Sequence, residues 1–276
     1  GSSNYWTGKL MLRTAVVAGQ FYSANKERLL SDVETLMVSA TPEPSIAVMS
    51  PHAGYIYSGA VAGKTFSHVK IPKEVIILGP NHHGRGHAAA VYAHGAWETP
   101  LGRVEIASPL AERLLAECSM AADDFTAHID EHSLEVQVPF LQYASPGLQI
   151  VPLCLGRMPL DTLLALGDGL ARVISSCEKP PLIVASTDMT HYEAGEVARK
   201  KDSLALDRVL ALDPEGLYEV VYENKISMCG VLPTVVMLRA ALALGATQAE
   251  LVAYSNSGDV TGDQSSVVGY AGVRVF

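Results

Sequence analysis

The chain has 276 residues, 49% of them apolar, with proline and glycine scattered, which describes an ordered globular protein able to bury a sizeable core. A formal net charge of −9 argues against nucleic acid and anionic membrane surfaces as principal partners. Four cysteines, Cys118, Cys154, Cys177 and Cys229, show no CxxC pair and no disulfide framework, which points to a reduced, cytoplasmic protein. No apolar run reaches the roughly 18 residues that a membrane span needs; Arg239 interrupts the longest candidate, Val235 to Leu244.

Residues 1–10, "GSSNYWTGKL", read as a remnant of cloning, and residues 11–276 as one domain without repeats or linkers. Ser23 is placed to cap a helix whose apolar face holds Leu29, Leu30, Val33, Leu36 and Met37. Ile46 to Ser50 follows as a buried strand, and "PHAGYIYSGAVAGKTF" runs from a loop into a helix. Val75 to Leu78 is β-branched and uninterrupted, a strand buried on both faces, and Gly79-Pro80-Asn81 is expected to stop it. "HAAAVYAHGAWETPLGRVEIA" reads as antiparallel or edge strands that turn at Pro100 to Gly102. Ser108-Pro109 predicts a cap and a first-turn proline for a helix through Cys118.

"LQIVPLCLG" is a further strand, and "LDTLLALGDGLARVISSC" a helix with Leu163, Leu166, Leu170 and Val173 along one side. Leu182 to Ala185 repeats the plan of a strand ending in a polar loop. A helix is expected from Val197 to Leu212, and "MCGVLPTVVMLRAALALG" is a turn into another that Gly245 ends. "AELVAYSNSG" and "SSVVGYAGVRVF" close the sheet. This alternation predicts an α/β fold with a mixed, largely parallel sheet covered by helices on both faces.

Three of the strands end alike: one delivers Pro51-His52, one Asn81-His82-His83, and one Asp188 and His191. In a parallel arrangement these loops leave the sheet at one edge, where open α/β sheets bind ligands. Imidazoles gathered with a carboxylate or thiolate are the ligand set of zinc or non-haem iron. Neighbours on an extended loop point to opposite sides, so His82 is assigned to the site and His83 to its surroundings or the substrate. Taken singly, His52 reads as a solvated loop residue and Asp188 as a turn cap; the shared edge argues for chemistry. Cys229 precedes a helix beginning near Pro233, whose positive end is expected to lower the thiol pKa, against the competing role of a buried packing residue. Glu131 and His132, grouped with Asp130 and Glu135, serve either a helix start or the orientation of metal ligands. His68, His87, His94 and His128 lack such a context and read as surface or structural residues.

Seven motifs in order, "VAGQFY", "PHAGYIYSG", "GPNHH", "DEHSLEVQVPFLQ", "STDMTHY", "MCG" and "SGDVTGDQSSVVGY", together resemble the Memo-like family from Arg13 onward. Its prokaryotic members are called AmmeMemoRadiSam system protein B, and the family is similar in fold to class III, LigB-like extradiol dioxygenases. The resemblance implies an α/β sandwich around a metal-competent cleft, with His52, His82 and Cys229 as metal ligands and Asp188 and His191 as catalytic groups. Tyr55, Tyr57 and Asn81 would line that cleft. The implied cofactor is a divalent or redox metal, Fe(II) foremost, with zinc or copper as alternatives. A redox enzyme, a zinc-type hydrolase and a non-catalytic module are the competing functions; the last would bind a small molecule or anionic peptide beside a radical-SAM partner. "FYS" and "STD" stand where relatives often have "FYP" and "SSD", and neither change removes a ligand. A sulfur ligand departs from the two-histidine, one-carboxylate triad of the dioxygenases, so the ancestry speaks to fold more than to activity.

Overall fold

The computed structural model describes residues 11–276, so the leader read as a cloning remnant lies outside the described residues. The first half of the chain runs β1 (Leu12–Arg13), α1 (Lys26–Leu36), β2 (Ala47–Ser50), α2 (Tyr55–Ser67), β3 (Glu74–Pro80), β4 (Ala89–Val91), β5 (Ala96–Thr99), β6 (Gly102–Ile106), α3 (Ser108–Glu117), β7 (Ala122–Asp123) and α4 (Val138–Ala144). The second half runs β8 (Gln149–Leu155), α5 (Leu160–Ser175), β9 (Leu182–Ser186), β10 (His191–Glu193), α6 (Gly195–Leu210), α7 (Pro214–Glu223), α8 (Val231–Ala243), β11 (Ala249–Asn256), α9 (Gly258–Thr261) and β12 (Val267–Val275).

Successive side chains of a strand face opposite sides, so an unbroken apolar run can bury both faces at once. That is what the central strands do. Ile76, Leu78, Met49, Leu153 and Ile183 enter one core, whereas Val75, Ile77, Val48, Ile150 and Val184 enter the other. α5 and α8 cover the first face, with Leu163, Leu166, Leu170 and Val173 all buried as their spacing required. α1 and α2 cover the second through Leu29, Val33, Ala62 and Phe66. The sheet order is β1-β5-β6-β8-β3-β9-β2-β12-β10; β6, β8, β3, β9 and β2 are mutually parallel, and antiparallel pairs flank them. β2, β9 and β3 are therefore neighbours that end at the same edge.

Several local expectations need correction. Gly79 and Pro80 do not stop β3; they stay in register with Cys154 and Leu155 of β8. Pro80 is tolerated because β9 pairing has ended at Leu78, so no ladder bond is asked of its nitrogen, while its carbonyl accepts from Ser133 Oγ. Asn25, not Ser23, caps α1, accepting from the Arg28 N–H, and Leu30 on that helix is exposed. Ser108 is the first residue of α3 rather than its cap, which is Ala107. α7 was not anticipated, although Asp213 caps it and Pro214 opens it, a signature visible in the sequence. Among the described residues, no helix is long and apolar enough to cross a membrane.

Candidate metal centre

β9 ends at Ser186, with β3 on one side and β2 on the other, so His82 and His52 arrive from the two flanking strands and Asp188 from between them. Cys229 comes from the turn before α8 and His191 from the start of β10. His52 Nε2 lies 3.3 Å from Cys229 Sγ and 3.7 Å from Asp188 Oδ2. Ligand atoms of His52, His82 and Cys229 all lie within 4.8 Å of one another, and so do those of Asp188, His191 and Cys229. A third such set is His82, Glu131 and His132. The His82 and His132 rings stack at 4.8 Å between centroids, and His52 meets both edge-on.

The hydrogen bonds assign the tautomers. Ser186 Oγ donates its one hydrogen to the Ser133 carbonyl, so toward His52 it acts as acceptor and Nδ1 of His52 carries the proton. His82 Nδ1 faces the Glu131 carboxylate at 2.8 Å, and His191 Nδ1 faces the Ser227 carbonyl at 2.8 Å; both partners accept only. All three rings thus hold their proton at Nδ1 and present a lone pair at Nε2. This is the arrangement by which outer oxygens orient metal-binding imidazoles and raise their basicity. Gln137 braces the floor by donating to Ser186 Oγ and to the Ser50 and Pro51 carbonyls.

Burial and charge set the protonation. His52 is 2% exposed, and burial, reinforced by His82, drives its pKa down to about 3, so it is neutral. Burial also lowers His132 to about 4, helped by His52. Burial opposes ionisation of Glu131, yet its hydrogen bond and charge pairing with His82 prevail and hold it at about 2. Burial pulls His82 the other way, but the same Glu131 bond raises it above an ordinary histidine. Burial lifts Asp188, whose Oδ1 accepts from the His52 N–H. Cys229 corrects an expectation: its thiol is raised, not lowered, because burial and the neighbouring Asp188 carboxylate outweigh the hydrogen bonds from the Asp188 N–H and the Thr187 hydroxyl.

Other sequence candidates fall as follows. Tyr55 turns its hydroxyl to the Val136 carbonyl and packs against Tyr22 and Phe140. Tyr57 is exposed. Asn81 Oδ1 accepts from the His83 and Gly84 N–H groups and its amide donates to the Arg85 carbonyl, which fixes the loop after β3. His83 is exposed. His128 is fully buried, donating from Nε2 to the Ala90 carbonyl. Sequence reasoning missed Ser186, Ser133, Gln137 and Ser227. It also missed Arg13, which donates to the Glu131 and His128 carbonyls and pairs with Glu135, tying the segment that carries Glu131 to β1. Ser186 and Gln137 lie inside quoted motifs, but nothing in their spacing links them to His52.

A family model described as Memo-like protein matches residues 13–274. The chain belongs to the Memo-like family. A MEMO1 family protein of Methanopyrus kandleri is 43% identical, across 95% of this chain and 98% of that protein. MEMO1 family proteins of Aquifex aeolicus and Methanothermobacter thermautotrophicus are 43% and 40% identical, each over 99% of its own length and 96% and 95% of this Memo-like chain. Among solved structures, an uncharacterized protein of Escherichia coli K12 superposes with a TM-score of 0.56 at 14% identity, covering 83% of this chain and 98% of that one, a likeness of fold.

The donor set fits the metal that the resemblance implies. Two imidazole Nε2 atoms and one sulfur converge, and each ring's remaining nitrogen is already committed to an oxygen. A mixed nitrogen–sulfur set of this kind suits zinc, iron and copper alike.

Proposed function

We propose that this Memo-like protein is a metal-dependent oxidoreductase whose ion is held by His52 Nε2, His82 Nε2 and Cys229 Sγ. One observation carries the reading: donors from three separate segments meet with the histidine lone pairs turned into the cleft and their tautomers fixed from behind. Three protein donors leave positions for a substrate and an oxidant, and iron(II), the metal favoured here, supplies one-electron and O₂ chemistry. The surrounding residues supply the rest. Glu131 orients His82 by accepting its Nδ1–H. His191 takes a proton at Nε2 while its Nδ1–H stays on the Ser227 carbonyl, and Asp188 stands ready to stabilise the resulting imidazolium. Buried Ser186, Gln137 and Thr187 exclude water from the floor.

The test compares protein reconstituted anaerobically with iron(II) and with zinc. Iron-loaded protein is expected to consume O₂ in the presence of phenolic or other small reductants, and zinc-loaded protein to be inert. Iron-loaded protein with intact metal content and no O₂ uptake above free iron(II) would overturn the redox reading and leave a hydrolytic or binding role for the same ion.

A further inference from the structure

The sulfur that completes the first donor set also belongs to a second. Cys229 Sγ, a carboxylate oxygen of Asp188 and a ring nitrogen of His191 converge within the same 4.8 Å limit as His52, His82 and Cys229. We propose that the cleft is a two-metal site, with a second ion held by Asp188 and His191 and bridged to the first through Cys229. The inference rests on the metal reading of His52, His82 and Cys229, and adds a second ion to it.

Three features carry it. First, the second set is prepared like the first. His191 keeps its Nδ1 proton on the Ser227 carbonyl and offers Nε2, while Asp188 spends Oδ1 on the His52 N–H and leaves Oδ2 uncommitted to a backbone donor. Second, the backbone is bent to aim His191. The β10–β12 register slips between His191 and Glu193, and Tyr192, between them, has φ of 62° and is 77% exposed. A bulky residue in the left-handed region is costly and persists where surroundings enforce it; here the bulge turns the tyrosine outward and leaves His191 facing the cysteine. Third, two anions adjoin. Buried Asp188 would stand beside a metal-bound Cys229 thiolate, and a second cation between them would stabilise both. A thiolate has lone pairs enough to bind two ions. With one ion in place, Asp188 and His191 remain a proton-handling pair; with two, they become ligands.

The experiment is an anaerobic titration of metal-free full-length protein with cobalt(II). It follows sulfur-to-cobalt absorption, bound metal after desalting, and magnetic susceptibility. The expected endpoint is two ions per chain, with a moment below that of two isolated cobalt ions because the thiolate couples them. His191→Ala, monitored for folding by circular dichroism, is expected to fall to one ion and retain the sulfur band. Asp188→Asn serves as the second variant with the same expectation. An endpoint of one in the wild-type protein overturns the second ion and leaves the first. Two uncoupled ions, or two ions in His191→Ala, overturn the bridged assignment. A wild-type endpoint of zero removes both readings.

Discussion

Glu131 shows how much a single side chain can settle. It is 1% exposed, yet it stays ionised because it receives the His82 backbone N–H, the His82 ring N–H and the Ser133 N–H. The glutamate thereby fixes which nitrogen of His82 is free. Replacing its charge in Glu131→Gln is expected to weaken zinc binding by roughly 10- to 100-fold, the usual cost of losing an outer orienting carboxylate. Competition against a chromophoric chelator measures it, and unchanged affinity would detach Glu131 from the site. His128 offers a pH test away from the cleft. Burial drives it down to about 4 from an ordinary value of 6.5, against the pull of the Ala90 carbonyl. The unfolded chain therefore binds the proton first. Stability attributable to this residue is complete above pH 6.5, is lost as pH falls toward 4, and totals about 3 kcal/mol across that window. Urea denaturation at pH 7 and pH 5 is expected to show a smaller loss in His128→Gln than in the wild type; equal losses would mean the ring is not the acid-sensitive group.

At the scale of elements, the strands were legible because burial on both faces writes an unbroken apolar run, and the partition of Val75 to Leu78 between two cores follows from pleating alone. α5 was legible for the complementary reason, its leucines recurring at helical spacing. Ends were harder. Pro80 looked like a stop, but whether a proline breaks a strand depends on which side its neighbour pairs, and only the register with β8 reveals that. The turn at Tyr192 was invisible, since nothing in "THYE" announces a positive φ. Tyr192→Gly is expected to stabilise the fold by about 1 kcal/mol relative to Tyr192→Ala, because glycine carries no penalty in that conformation. Thermal denaturation of the two variants measures the difference. An alanine variant as stable as the glycine one would show that the bulge relaxes and does not hold His191 under strain.

For the whole molecule, the site exists because parallel neighbours deliver their loops to one edge. His52, His82 and Asp188 could be gathered in advance from three strand endings, given a parallel sheet. Cys229 could not: it arrives from a turn far along the chain, and only the "MCG" motif marked it. The serines and Gln137 behind the histidines were beyond reach, since orientation is a property of contacts that no local pattern records. An ion joining chain segments this distant in sequence would tie metal binding to stability. The central claim is that His52, His82 and Cys229 bind a single ion together. X-ray absorption at the zinc edge of zinc-loaded protein tests it most directly. The predicted shell contains nitrogen at ~2.0–2.1 Å and sulfur at ~2.3 Å, with the sulfur lost in Cys229→Ser. A shell of oxygen and nitrogen alone, the same in both proteins, would contradict it.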